Sequence, residues 1–142
     1  FQRIEVAPNR KTLGRKCRQD LPKVMATMNR VVELNENTYY GNAHTLLGVA
    51  KAGLPKALGG EPEAAKAHFE KARQITEGRY LMTDFLYALF YHGRANPDRE
   101  KYESVLEGII DADEDLFPEQ RLANEIAKQR ATYWLERADE LF

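Results

Sequence analysis

The stretch AKAHFEKA at residues 65–72 places a small residue, an aromatic residue and a second small residue at Ala65, Phe69 and Ala72. Spacings of four and three residues put all three on one face of an α-helix. Small side chains let two helices approach closely, and an aromatic ring fills the space between them. The stretch therefore predicts a helix that packs tightly against a neighbouring helix.

This spacing is typical of the second helix of a tetratricopeptide repeat. Leu47-Gly48, in the preceding segment, occupies the leucine–glycine position of the first helix of such a repeat. Val31 in an earlier, divergent copy is equivalent to Ala72, 41 residues later. Because the standard period is about 34 residues, the excess falls mostly in the turn-rich LPKALGG at residues 54–60. A third, degenerate copy lies around Tyr102.

Capping signals and apolar residues at helical spacing divide the chain into about six helices. Their expected positions are Asp20 (a cap before Pro22) to Leu34, Thr38 (a cap) to Gly53, Glu61 to Gly78, Tyr80 to Arg94, Asp98 to Ile110, and Pro118 to Leu141. The fourth is apolar almost all round, which predicts a central position. No strand pattern occurs. The sequence predicts an all-α fold of divergent tetratricopeptide-like stacked helical hairpins in a single domain, residues 1–142.

Charge is distributed unevenly along the 142 residues. Residues 1–30 carry eight basic and two acidic side chains, whereas residues 31–142 carry thirteen and twenty. The basic segment suits an anionic surface, but a solvated helix is the more ordinary interpretation. The overall charge of −1 does not indicate nucleic-acid binding. The single cysteine, Cys17, excludes an intrachain disulfide, and because the chain opens on Phe1 we expect it to be the C-terminal part of a longer or processed protein.

Catalytic and metal-binding patterns are missing from the sequence. The histidines His44, His68 and His92 form no pair four residues apart, and one cysteine gives little support to a zinc site. No phosphate-binding glycine loop or Gly-x-Ser-x-Gly motif occurs, and Ser104 is the only serine. We therefore predict no enzyme, no metal and no cofactor; a hydrolase using His44 and the acidic residues 111–115 is a weaker alternative.

Tyrosines and a few polar residues at helical spacing are the best candidates for a binding surface. A tyrosine ring packs while its hydroxyl needs a partner, which suits a half-buried wall, although core packing is the simpler explanation for each one. Arg121 and Asn124 stand near a helix N-terminus, where an anion is favoured; capping and a salt bridge to the acidic linker are the alternatives. The predicted ligand- or partner-binding residues are Tyr40, His44, Tyr80, Tyr87, Tyr91, Arg94, Arg121 and Asn124.

The ordered motifs resemble the TRAP-transporter T-component family over about residues 21–142. The motifs that carry the resemblance are YYGNAHTLLG (39–48), LPKALGG (54–60), HFEKARQITEGRYLM (68–82), YALFY (87–91), RLANEIA (121–127) and the terminal LF. Matching positions include Gly41, Gly48, Gly59, Gly60, His68 and Phe69 beside several of the candidate binding residues.

The resemblance implies a non-enzymatic, periplasmic lipoprotein of a tripartite transporter. Its expected partner is the soluble, substrate-binding P component, and it implies a homo-oligomer such as a trimer with cavities for a small organic or apolar ligand. The lipid would sit on an N-terminal segment that precedes these residues. The alternative that rests on the repeat alone is a cytosolic tetratricopeptide scaffold that binds a peptide in its concave groove.

Overall fold

A computed structural model describes residues 10–142, with side chains from Gln19 onward. Six α-helices follow one another, and the fourth continues directly into a π-helix. Their bounds are α1 Arg10–Asn35, α2 Asn42–Gly53, α3 Pro62–Thr76, α4 Leu81–Leu86, the π-helix Tyr87–Ala95, α5 Arg99–Ile110 and α6 Arg121–Leu135. Short 3-10 turns occupy Lys56–Leu58, Pro118–Gln120 and Ala138–Glu140. The described part of the chain contains no strand, so the all-α prediction is confirmed.

Helices α2 and α3 form the hairpin that the small–aromatic–small spacing predicts. Ala65, Phe69 and Ala72 have no solvent exposure, and Leu47 is almost completely buried. Gly48 brings the α2 backbone onto the Phe69 ring: a Cβ at this position would lie 3.0 Å from two of its carbon atoms. The spacing between the two helices therefore depends on the missing side chain of Gly48.

The α4–π segment lies between the other helices, as its apolar composition predicts. Helices α2 and α3 pack on one part of it, and α5 and α6 on the other. Two apolar clusters form, one between α2, α3 and the π-helix and one between α4, α5 and α6. Leu86 and Phe90 pack against both clusters and join them into one core.

Two predicted helix starts are wrong. Helix α1 extends back to Arg10, so Asp20 is not its cap and Pro22 lies inside the helix. Extending an existing helix costs less than nucleating a new one, and residues 10–19 contain no strong break other than Gly14. Helix α2 begins at Asn42, after a turn over residues 36–41, and Thr38 does not cap it. The residue before α2 is Gly41, in the left-handed conformation with φ 72°.

The predicted end of the last helix is also wrong, because α6 stops at Leu135. A 3-10 turn follows and carries Ala138 into the core, while Phe142 packs edge-on against the Tyr102 ring. The tighter turn directs apolar side chains into the core, whereas a straight helix would carry these side chains past it. Leu122, an apolar residue of α6, is 75% exposed.

We expect Gly48→Ala to lower the free energy of unfolding by about 2 kcal/mol, because the new methyl group must push Phe69 out of its fully buried position. Gly108→Ala in α5 is the matched control. A Cβ there meets no atom within 4 Å, so alanine should stabilise the helix by about 1 kcal/mol. Urea unfolding at neutral pH measures both values; an equal effect of the two variants would contradict the close approach of α2 and α3.

Candidate functional site

A groove runs between α3 and α5, with α4 and the π-helix as its floor. Two cavities of about 370 and 270 Å³ lie along it, and Arg73 and Val105 line both. The larger cavity has a mixed wall, in which Arg73, Asp84 and Ser104 stand beside aliphatic side chains of Leu81, Val105, Ile109, Ala112 and Leu116. The smaller cavity is more polar, lined by Lys66, Glu70, Tyr87, Tyr91, His92, Asn96 and Lys101. The groove thus offers a polar end and an end where polar and aliphatic side chains meet.

The π-helix determines which side chains reach the polar end. Residues five apart on an α-helix point about 140° away from each other, because the helix turns once in 3.6 residues. Hydrogen bonds that span five residues instead bring such side chains to neighbouring positions. The Tyr87 ring consequently lies 5.3 Å from the Tyr91 ring and 4.8 Å from the His92 ring. On its other side, Tyr87 stacks on Phe69 at 4.9 Å.

Burial favours the uncharged forms of Tyr87 and His92 at the polar end. It raises the pKa of Tyr87 to about 12, with help from the nearby Glu70 carboxylate, so the phenol keeps its proton. Burial lowers the pKa of His92; Asp98 opposes this effect, and Lys101 and other nearby cations add to it. The His92 Nδ1 atom is buried without a hydrogen-bond partner among the described residues. A neutral imidazole has one donor and one acceptor nitrogen, and Nδ1 is the one that is enclosed by the protein.

An ion pair between Arg73 and Asp84 stands where the two cavities adjoin. Asp84 is buried, whereas almost half of the Arg73 side chain is exposed. Burial raises the pKa of the Asp84 carboxyl, although the guanidinium of Arg73 pulls it down. Burying the charged form of Asp84 therefore lowers the stability of the folded protein, and groups with pKa values shifted in this way are frequent at functional sites.

Tyr40 and Tyr80 lie outside this groove, in an aromatic cluster with Phe117. Their ring centroids are 5.9 Å apart, and the Phe117 ring stands edge-on to Tyr40 at 5.1 Å. Tyr39 and Tyr40 both have positive φ, 48° and 59°, a conformation that is unfavourable for residues with bulky side chains. The turn before α2 is thus strained and leaves Tyr39 63% exposed.

His44 lies beside His68 on α3. The sequence did not predict this contact between helices, because no two histidines are four residues apart. Their Nδ1 atoms are 2.9 Å apart, and the second nitrogen of His44, Nε2, is 3.5 Å from a Glu36 carboxylate oxygen. The two histidines are 24 positions apart, so only the packing of α2 on α3 brings them together. No group of three or more potential ligands in the described residues is arranged to hold a metal ion.

The remaining predicted residues lie apart from the groove. Arg94 is exposed, with its guanidinium 5.5 Å from the centre of the Phe90 ring. Arg121 forms ion pairs with Glu114 at 3.1 Å and Asp115 at 3.5 Å in the acidic linker.

Asn124 is buried and joins α6 to the start of α4. Its side-chain oxygen accepts a hydrogen bond from the Leu81 N–H at 3.0 Å, and its nitrogen donates to the Arg79 carbonyl at 2.9 Å. Both groups of its amide are therefore used in holding the fold. Of the eight predicted residues, only Tyr87 and Tyr91 line the groove.

We expect Asp84→Asn to leave stability unchanged near pH 4 and to raise it by about 1 kcal/mol at pH 7. A carboxyl whose folded-state pKa is raised contributes stability below its unfolded-state pKa, and that contribution is lost as the pH rises through the folded-state value. Urea unfolding at the two pH values measures the difference. Asp111→Asn, an exposed linker position, is the control and should show no such change. A variant less stable than the parent at pH 7 would show that attraction to Arg73 outweighs burial.

Comparison with known proteins identifies a family whose model matches this chain. The model of the TRAP transporter T-component family matches residues 6–142, nearly the whole chain. A search of curated proteins finds no match. Within residues 10–142, no helix is both long enough and apolar enough to span a bilayer. The match agrees with the resemblance carried by the motifs between residues 39 and 142, and the chain belongs to the TRAP transporter T-component family.

Proposed function

We propose that this chain is the non-enzymatic accessory component of a TRAP transporter that docks the substrate-binding P component and holds a small organic ligand. Membership of the family gives the accessory role in transport. The observation that carries the ligand-binding part is the groove between α3 and α5, with its two adjoining cavities. The proposal places the protein in the periplasm, anchored by a lipid on an upstream segment and assembled as a homo-oligomer.

The two ends of the groove suit a molecule with one polar and one aliphatic part. Phenol hydroxyls, a neutral imidazole and an amide can share hydrogen bonds with a polar group at Tyr87, Tyr91, His92 and Asn96. At the other end Leu81, Ile109 and Leu116 provide aliphatic contact. The side chains that line the groove therefore support binding of such a molecule. The sequence contains no nucleophile and base in a pattern typical of a catalytic site.

An apolar face along α1 supports docking of a protein. A cleft of about 380 Å³ lies between α1 and the loop that follows α2, lined by Leu21, Pro22, Met25, Leu54 and Leu58. Leu58 is 61% exposed at its rim. Exposed apolar residues around a cleft are typical of protein–protein contact surfaces. Together with membership of a transporter family, this face favours docking of the P component over capture of a peptide by a cytosolic scaffold.

We expect Leu58→Glu to weaken binding to the purified P component of the same transporter by at least about tenfold, because a charge would be buried at the contact. Leu122→Glu is the matched control, since this leucine is exposed on α6, away from the cleft. Calorimetric titration at micromolar concentration measures the dissociation constant of each variant for the P component. Absence of binding by the parent protein would refute docking, and a loss with Leu122→Glu alone would move the contact surface to α6.

We expect Val105→Phe to abolish retention of a small ligand, because Val105 lines both cavities and a larger ring would fill the space between them. Native mass spectrometry of protein purified from its own periplasm gives the mass of the retained molecule. Leu122→Phe adds an aromatic ring outside the groove and should keep the ligand. Retention by Val105→Phe, or no additional mass on the parent protein, would refute a ligand site in this groove, independently of docking.

A further inference from the structure

The pair formed by His44 and His68 belongs to a charged cluster outside the groove. His44 is on the first turn of α2 and only 6% exposed, while His68 is half-buried on α3. Glu36, in the turn over residues 36–41, places one carboxylate oxygen 3.5 Å from the His44 Nε2 atom and the other 3.0 Å from the Lys71 Nζ atom. The cluster thus links the turn to α2 and α3.

The turn that this cluster holds is strained. Tyr39, Tyr40 and Gly41 have consecutive positive φ values of 48°, 59° and 72°. A non-glycine residue in this conformation is energetically unfavourable and persists only where its surroundings hold it. The backbone of Gly41 also packs closely on Ile75 of α3. Loss of a contact between the turn and α3 would therefore release strain.

The geometry of the two rings limits the number of protons that they can carry. In the neutral pair, one Nδ1–H donates to the other Nδ1, and the His44 Nε2 atom lies 3.5 Å from the Glu36 carboxylate without a hydrogen bond. One added proton leaves a donor and an acceptor between the rings, and the positive charge faces the Glu36 carboxylate. Two added protons leave two N–H groups facing each other across 2.9 Å, so the hydrogen bond is lost and two positive charges repel.

Other charged groups around the pair come from α2, α3 and the segment before α3. Lys51 and Glu61 form an ion pair of 3.0 Å near His68, and Lys71 lies on the far side of Glu36. Burial is the largest cause that lowers the pKa of His68, and the charges of His44 and Lys51 lower it further, whereas Glu61 raises it. The nearby lysines disfavour a bound cation and leave proton binding as the chemistry that suits this cluster.

We propose that Glu36, His44 and His68 form a proton-controlled latch that closes with up to one added proton and opens with the second. Opening separates the turn over residues 36–41 from α3 and frees Tyr39 and Tyr40. Tyr40 would then leave its contact with Phe117, which changes the exposed aromatic surface at this end of the molecule. The latch is independent of the proposed ligand groove and of docking.

Nuclear magnetic resonance of the ¹⁵N-labelled full chain between pH 8 and pH 5 tests this proposal. Imidazole nitrogen shifts report the protonation of His44 and His68, and we expect two separated steps. Amide protection factors report the turn, through the N–H groups of Asn42, His44 and Thr45, which donate to Tyr39 and Gly41 carbonyls. Protection at these amides should be retained through the first step and lost at the second, while α5 and α6 stay protected.

His68→Gln should remove the second step, since the amide can hydrogen-bond to His44 without gaining a charge. The turn in this variant should stay protected down to pH 5. His92→Gln is the control because it removes a buried histidine on the π-helix and should leave both steps at His44 and His68 unchanged. Loss of turn protection at the same pH in His68→Gln and the parent would overturn the latch, as would a parent turn that stays protected after both histidines are protonated.

Glu61→Gln gives a second test that leaves both His44 and His68 in place. Glu61 is exposed, and removing its charge disfavours protonation of His68. The pH at which the turn opens should move lower in this variant, with the neutral structure unchanged. An unchanged opening pH, with a shifted His68 titration, would show that the turn opens for another reason.

Discussion

The approach of Gly48 to the Phe69 ring fixes the distance between α2 and α3, and several other features depend on that distance. Phe69 fills the space left by the absent side chain and presents its other face to Tyr87. At the same separation, His44 and His68 come within hydrogen-bonding distance. A single small residue thus sets both the repeat packing and the position of two polar groups that would otherwise face solvent.

The π-helix converts a central, apolar segment into the floor of a groove. An α-helix over residues 87–95 would direct Tyr87 and His92 to different sides. The wider turn places both beside the cavity and keeps Phe90 in the core that joins the two halves of the fold. The fold therefore accepts poorer backbone geometry in a segment that lines the polar end of the groove.

Burial opposes ionisation at several places in this molecule, among them Asp84, His92 and His68. The pKa of Asp84 is raised, and the pKa values of His92 and His68 are lowered. In each case desolvation is the largest cause. Groups whose pKa values are shifted by burial inside clefts are frequent at functional sites.

Periodic patterns and ordered motifs in the sequence are sufficient to predict the helical class, the central fourth helix, the α2–α3 hairpin and the family. The sequence also indicated Tyr87 and Tyr91, whose spacing of four residues suits a helix. Only the tertiary structure placed His92 beside them, since that contact needs a π-helix. Long-range contacts, such as His44 with His68 and Asn124 with Leu81, join residues far apart in the chain. No local pattern encodes such pairs, because they follow from how already formed helices pack.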